Sequence, residues 1–289
     1  MFKAFLNAMR PKQWSKNFFV FFAIVFDKQL FHIPALLHTL AGFASFCLLS
    51  SSVYIINDIF DIEVDKQHPV KKNRPLPSGA LPIQLAAIGA FLLAIFSLGI
   101  AYFLSPTFFL IGMAYLLMNL AYSKWLKHVA ILDVFIIAAG FILRVEAGVV
   151  LIVVERFSPW LYVVTTLGAL YLGFGKRRAE LALLTKQAGE HRKVLEGYSL
   201  PVLDQYITIV SAATILSYSL YTFSAPNLPE NHSMMLTIPF VAYIIFRYLY
   251  LIQMTHNAGA PEEVLLTDRP IQASVAITIL AILVIFYLQ

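Results

Sequence analysis

Nine apolar runs, most of them close to the length of a membrane span, alternate with short polar stretches along the chain. A helix needs about 20 mostly apolar residues to cross a bilayer. The pattern predicts helices at residues 16–33, 36–57, 81–103, 106–122, 129–152, 159–175, 202–223, 234–254 and 270–288. We therefore predict an all-α integral membrane protein, a bundle of nine transmembrane helices forming one domain over residues 1–289.

Composition supports a membrane protein and removes several kinds of site. Of 289 residues, 60% are hydrophobic and 13% are charged, whereas about a quarter of the residues in an average soluble domain are charged. The single cysteine, Cys47, rules out a disulfide framework within the chain. The seven histidines do not follow the spacing of a zinc-protease motif.

The basic residues are distributed unevenly between the predicted loops. All but four of the 21 Lys and Arg residues fall on the side of the N-terminus; the exceptions are Lys28, Arg144, Arg156 and Arg247. Basic loops mark the cytoplasmic face, so we predict a multi-pass cell-membrane protein with that face inside. The net charge of +5 suits anionic headgroups as well as a phosphate substrate. We expect a membrane environment and no nucleic-acid partner, and leave a homo-oligomer open.

Four polar residues after the second apolar run have helical spacing. Asn57, Asp58, Asp61 and Asp65 would share one face if that helix continued to about residue 65. Carboxylates held so close repel one another, and a divalent cation such as Mg²⁺ removes the repulsion and bridges to substrate phosphates. We predict that all four bind metal, with Asp61 and Asp65 at an exposed helix end, and that the three aspartates are catalytic. The alternative is a solvated helix end without a chemical role.

A basic, proline-rich stretch follows directly. His68-Pro69 is predicted to end the helix, because proline disfavours helix at the preceding residue. Lys71, Lys72 and Arg74 then come within ten residues of the last aspartate. A diphosphate can bind metal on one edge and Lys or Arg on another, so we predict that Lys71 and Arg74 bind donor phosphate. Positive-inside topology alone would explain the cations, but not the adjacent acids.

The stretch "NDIFDIEVDKQHPVKKNRPLPSG", residues 57–79, resembles the first aspartate motif of the UbiA superfamily of intramembrane prenyltransferases. "YSKWLKH", residues 122–128, is similar to that family's Tyr-and-Lys segment after the fourth helix. The resemblance implies nine helices, a site that opens to the cytoplasmic side, and Mg²⁺ as cofactor. It also implies that Tyr122 and Lys127 contact the donor phosphates.

Three further stretches, "MRPKQWSKNFFVF", "LDVFIIAAGFILRVEAG" and "GKRRAEL", resemble the decaprenyl-phosphate phosphoribosyltransferase branch of the superfamily. The usual member carries a second Asp-x-x-x-Asp motif after the sixth helix, where this chain has Lys176, Arg177, Arg178 and Glu180. A basic cluster suits an additional bare phosphate, so we predict that these three cations bind the donor. The alternative is ordinary anchoring at a helix end.

One cation lies inside an apolar run. Arg144 would cost about 2.5–3.5 kcal/mol at the centre of a span, and its candidate partners are a lipid phosphate and Asp133. We predict that Arg144 and, at the N-terminal boundary, Lys16 bind the lipid phosphate. Lys16 near Trp14 is also typical of a plain membrane anchor.

The residues and the resemblance together predict Mg²⁺-dependent transfer of a 5-phosphoribosyl group from phosphoribosyl diphosphate to a polyprenyl phosphate. The alternative enzyme moves a prenyl group from prenyl diphosphate to an aromatic or quinone-precursor acceptor. A cation transporter is the alternative from another class, although no matching acidic cluster occurs on the outer face.

Overall fold

The computed structural model describes residues 1–67, 70–154, 158–184, 193–226, 228–254, 264 and 267–288, and its regular structure there is entirely helical. The α-helices whose bounds are described are α1 (Phe2–Ala8), α2 (Phe22–Phe26), α3 (Ile33–Phe60), α4 (Ile62–Gln67), α5 (Ile83–Leu104), α6 (Pro106–Lys124), α7 (Leu132–Val149), α8 (Pro159–Leu184), α9 (Leu200–Ser224), α10 (Ile238–Met254) and α11 (Arg269–Tyr287). Short 3₁₀ helices occupy Pro11–Phe21, Lys71–Asn73, Leu126–His128, Lys193–Gly197 and Ser233–Thr237.

Six helical stretches in the described part of the chain are long and apolar enough to cross a membrane: Ile33–Phe60, Ile83–Leu104, Pro106–Lys124, Leu200–Ser224, Ser233–Met254 and Arg269–Tyr287. The all-helical membrane fold is therefore confirmed, whereas the count of nine spans stays a prediction. Helices α7 and α8 are long enough but carry several charges, among them Arg144 and Lys176.

The first predicted span, residues 16–33, is wrong as a continuous α-helix. Pro11–Phe21 is a 3₁₀ helix, and α2 then ends at Phe26. Lys28 has a φ of 58°, in the left-handed region that ordinary side chains avoid and that interrupts a right-handed helix. A new helix, α3, begins at Ile33 with a proline in its first turn, where proline is tolerated.

The chain forms two compact units. The first comprises Met1–Val25, Gln29–Lys127 and Leu143–Val154, and the second comprises Phe26–Lys28, His128–Ile142 and Glu155–Gln289. The single domain predicted from the sequence stays a prediction.

In the first unit, α3 packs along α5, α6 and the N-terminal 3₁₀ helix. Gly148 of α7 provides the closest backbone approach: a Cβ added there would lie 2.1 Å from the carbonyl oxygen of Val20. Only glycine fits at this position without moving the backbone of the 3₁₀ helix.

In the second unit, α8 packs along α9, and α10 packs along α11. A buried ion pair joins Arg177 Nε to Asp133 Oδ2 at 2.7 Å, and Arg177 also pairs with Glu180. The Tyr198 hydroxyl donates to Asp133 Oδ1 at 2.7 Å and accepts from the Ile131 amide at 2.6 Å. Burial, together with the hydrogen bond to Asp133, raises the pKa of the Tyr198 hydroxyl, so at neutral pH it stays a donor.

Gly148→Ala is expected to lower the melting temperature, because the added methyl group collides with backbone at Val20 rather than with a flexible side chain. Gly99→Ala in α5 is the matched control: nothing lies within 4 Å of its Cβ position, and alanine favours a helix by about 0.5–1 kcal/mol over glycine. Thermal unfolding in detergent compares the two. Equal melting temperatures would contradict the close approach.

Asp133→Asn is expected to destabilise the protein by about 3–5 kcal/mol, because it removes the fully buried partner of a cation that stays behind. Asp133 and Arg177 are 0% and 2% exposed. Glu180→Gln should have a smaller effect, because that carboxylate is partly solvated. The double variant Asp133→Asn/Arg177→Met should recover stability relative to Asp133→Asn. Urea unfolding measures all three, and equal losses for the two single variants would contradict the assignment.

Candidate functional site

The acidic motif lies at the junction between α3 and α4. Asn57 and Asp58 occupy the last turn of α3, and Asp65 lies in α4. The helix breaks at Asp61, but the helical bonding continues across the break: the Asp61 amide donates to Asn57 O at 3.0 Å, and the Asp65 amide to Asp61 O at 2.8 Å. The predicted three- and four-residue spacing is therefore preserved without one continuous helix. The end predicted at His68-Pro69 lies outside the described residues.

Asp58 and Asp65 are neighbours, as their spacing predicts. Arg74 Nη1 lies 3.2 Å from Asp58 Oδ1 and 2.6 Å from Asp65 Oδ2. Lys71 Nζ lies 3.8 Å from Asp65 Oδ1. Both aspartates are 1% exposed, so the expectation of an exposed helix end is wrong for Asp65. An unpaired buried carboxylate is costly, and these two are paired with the cations that the sequence assigned to donor phosphate.

Arg10 also belongs to this site, and sequence reasoning missed it. Its guanidinium pairs with Asp58 Oδ1 and lies over the ring of Tyr54, 5.4 Å from the centroid. Forty-eight residues separate Arg10 from Asp58, so no local spacing relates them. The only feature of the sequence that could have pointed to Arg10 is its place at the start of the "RPKQW" stretch.

Asp61 is held separately from the other two aspartates. Lys127 pairs with its Oδ1 atom, and the Asn57 side-chain amide donates to its Oδ2 at 3.1 Å. Lys127 is buried and comes from the short 3₁₀ helix after α6. The structure thus brings the "YSKWLKH" segment to the acidic motif through Lys127, while Tyr122 is half-buried in α6.

The donor atoms in this cluster are of the kind that Mg²⁺ prefers, namely carboxylate and amide oxygens. Within the described residues, no group of three His, Cys, Asp or Glu is arranged to hold a metal ion. A cationic nitrogen of Arg74 lies between Asp58 and Asp65 instead. The chemistry of the ligands fits a divalent cation, provided that the basic side chains move aside.

Arg144 lies in a polar network in the first unit. Its Nε donates to Asn17 Oδ1 at 2.8 Å, and one Nη donates to the Tyr115 hydroxyl at 2.8 Å. Asn17 in turn donates to Cys47 Sγ and Ser50 Oγ on α3. The sequence analysis did not identify Asn17 and Tyr115 as partners of Arg144. They lie 127 and 29 residues away from it along the chain. Lys16 precedes Asn17 in the same 3₁₀ helix and is half-buried.

Asp133, one partner weighed for Arg144 from the sequence, pairs with Arg177 instead. Arg178 Nε lies 2.6 Å from Asp204 Oδ1, and its Nη1 donates to Ile252 O at 2.7 Å. These cations lie inside α8, which continues past the predicted end at residue 175 to Leu184.

The three basic residues of α8 are therefore not one cluster. Consecutive helical residues point to different faces, and Arg177 and Arg178 each pair with a different carboxylate. Lys176 is half-buried on the same helix. That these cations bind phosphate stays a prediction. Arg177 and Arg178 would have to leave their carboxylate partners to contact a phosphate.

The family model of the UbiA prenyltransferase family matches residues 17–266. The chain is 33% identical to decaprenyl-phosphate phosphoribosyltransferase of Mycolicibacterium smegmatis, covering 92% of this chain and 87% of the relative. It is 31% identical to the enzyme of the same name from Corynebacterium glutamicum, covering 98% of this chain and 87% of the relative.

The fold is also similar to a solved structure of a UbiA homologue from Archaeoglobus fulgidus bound to GPP and Mg²⁺. The TM-score is 0.73 at 19% identity, covering 98% of this chain and 99% of the other. With six apolar helices long enough to cross a bilayer, the protein is a multi-pass membrane protein. The match to the family model over most of its length shows that the chain belongs to the UbiA prenyltransferase family.

Proposed function

We propose that the protein transfers a 5-phosphoribosyl group from phosphoribosyl diphosphate to a polyprenyl phosphate and releases diphosphate, with Mg²⁺ as cofactor. The observation that carries the proposal is the similarity to proteins named for this activity, which extends over 87% or more of their length and of this chain. The stretch from Lys176 to Glu180 supports the choice of donor, because it has no second Asp-x-x-x-Asp motif.

In this proposal the acidic motif binds the donor at its diphosphate. Asn57, Asp58, Asp61 and Asp65 would hold Mg²⁺, which supplies charge neutralisation for the leaving diphosphate. Lys71, Arg74 and Lys127 already lie within ion-pair distance of those carboxylates, so they need only short side-chain movements to reach a diphosphate bound there. Tyr122 and the basic residues of α8 are proposed to contact the donor as well.

The acceptor needs no dedicated general base. A phosphate monoester is already an oxyanion near neutral pH, and its oxygen attacks the anomeric carbon of the ribose from the face opposite the diphosphate. The new C–O bond forms as the bond to diphosphate breaks, and the electron pair leaves with the diphosphate. Positioning and electrostatic stabilisation of the leaving group supply the catalysis.

We place this reaction at the cytoplasmic face of the cell membrane, because the basic loops lie on that side of the predicted topology. The lipid phosphate is proposed to meet Lys16 and Arg144. Arg144 is buried with Asn17 and Tyr115, so a phosphate would have to share or replace those hydrogen bonds.

Two incubations of the purified protein separate the candidate reactions. One contains labelled phosphoribosyl diphosphate with polyprenyl phosphate, and the other contains prenyl diphosphate with an aromatic acid. Mass spectrometry of the lipid fraction should show a phosphoribosylated lipid from the first. A product from the second incubation alone would establish the prenyltransferase alternative, and cation flux into liposomes without either product would indicate a transporter.

Asp61→Asn is expected to lower turnover at limiting Mg²⁺ by about a hundredfold or more, the effect of losing one preorganised electrostatic group. The fold should survive, because Asp61 is half-buried and asparagine keeps a hydrogen-bonding side chain. Glu63→Gln is the control: it lies next to the motif, is 83% exposed and pairs with Lys66. Initial rates across a Mg²⁺ series measure both, and the metal assignment fails if Asp61→Asn behaves like Glu63→Gln.

Arg144→Met is expected to weaken polyprenyl phosphate binding by about ten- to a hundredfold, the effect of losing a charged hydrogen bond, with little change for phosphoribosyl diphosphate. Tyr115→Phe is the companion variant, because it removes one partner of Arg144 but keeps the ring and the cation. Binding of each substrate and thermal unfolding are measured separately. Equal loss of both substrates together with lower stability would show that Arg144 is structural.

A further inference from the structure

Arg10 combines a fixed backbone with a side chain that can reorient. Its φ is 54°, and it connects α1 to the 3₁₀ helix that begins at Pro11. The preceding carbonyl, that of Met9, accepts a hydrogen bond from Ser51 Oγ on α3, and Ser51 in turn accepts one from Trp14 Nε1. The backbone before Arg10 and the side chain of Trp14 after it are therefore tied to α3, whereas the Arg10 side chain is 24% exposed.

The partner of Arg10 is one of the proposed metal ligands. Asp58 Oδ1 accepts from both Arg10 and Arg74, and the Asp58 side chain is only 2% exposed. An oxygen that accepts from two guanidinium groups has little capacity left for a metal ion. A metal that uses this oxygen must displace at least one of them.

The charges around the motif lead to the same conclusion. Three carboxylates are paired with four cations, namely Arg10, Lys71, Arg74 and Lys127. A divalent cation arriving alone would add positive charge to a site whose acids are already neutralised. A diphosphate arriving with it supplies the negative charge that the displaced side chains need.

We propose that Arg10 exchanges partners, holding Asp58 when the site is empty and binding the donor diphosphate when a divalent metal takes Asp58. Arg10 is then a substrate-binding residue that also opposes metal binding in the absence of diphosphate. Metal and diphosphate bind cooperatively as a result, because each removes the obstacle to the other.

Arg10 is better suited to this exchange than Arg74. One nitrogen of Arg74 contacts both Asp58 and Asp65, so its departure exposes two buried carboxylates at once. The exchange of Arg10 removes one partner from Asp58 alone, which keeps its contact with Arg74 until the metal arrives. The Arg10 guanidinium also lies over the ring of Tyr54, a cation–π contact that does not depend on Asp58.

The test uses Mn²⁺ and inorganic diphosphate as probes, with the full-length protein in detergent. Bound Mn²⁺ is measured by electron paramagnetic resonance, first alone and then with diphosphate. Arg10→Gln should bind Mn²⁺ alone about two- to fivefold more tightly, because a competing ion pair has been removed. It should lose about ten- to a hundredfold of the affinity gained on adding diphosphate, because a charged hydrogen bond is absent.

Two further variants keep the result interpretable. Lys3→Gln removes the same charge from an exposed position in α1 and should leave both affinities unchanged. Arg10→Lys keeps the charge and should resemble the unaltered protein with Mn²⁺ alone. The proposal is overturned if Arg10→Gln weakens Mn²⁺ equally with and without diphosphate, which would make Arg10 structural, or if it changes neither affinity.

The proposed exchange of Arg10 rests on the metal–diphosphate site of the proposed function. Different experimental results would contradict the exchange and the proposed function. Neither ribose nor lipid is present in the binding test, so a failure to form phosphoribosylated lipid leaves the Arg10 result standing. If the unaltered protein binds no Mn²⁺ even with diphosphate, both the metal site and the exchange are overturned. Cooperative binding with an unchanged Arg10→Gln variant overturns the exchange alone.

Discussion

An ionised side chain inside an apolar protein must be matched by an opposite charge or by hydrogen bonds, because water is not available to solvate it. The described residues meet this constraint in two ways. Asp133 pairs with Arg177, and Asp58 pairs with Arg10 and Arg74. Arg144 donates to the neutral oxygens of Asn17 and Tyr115. Several of the long-range polar contacts that join loops and short helices to the long helices follow from this requirement.

The same requirement explains why the proposed catalytic site can exist without substrate. Three carboxylates in one patch would repel one another, and two of them are almost completely buried. The basic side chains neutralise these carboxylates. In the proposed function, a metal with a diphosphate would replace that arrangement with an equivalent one, and few charges would be newly desolvated when the donor binds.

Local patterns were sufficient to predict the features that depend on local geometry. Apolar runs located the long helices, with α3 and α9 beginning two or three residues earlier than predicted and α8 ending nine later. The spacing of Asp58 and Asp65 predicted that they are neighbours. This is confirmed, because one nitrogen of Arg74 contacts both carboxylates. Partners remote in sequence could not be predicted. Asp58 is 48 residues from Arg10 and Asp61 is 66 residues from Lys127, and such pairs depend on how helices pack.

The contrast between the two charged motifs shows why spacing carries more information than composition. Asp58 and Asp65 are seven residues apart, close to two helical turns, and helical hydrogen bonding continues through Asp61 between them. They consequently share one guanidinium even though α3 has ended. Lys176, Arg177 and Arg178 are consecutive, and each step along a helix turns the side chain by about 100°. Arg177 and Arg178 therefore reach Asp133 and Asp204 on different neighbouring helices. A consecutive run of like charges within a helix therefore does not predict one cluster, whereas acids seven residues apart can be neighbours, even across a break in the helix.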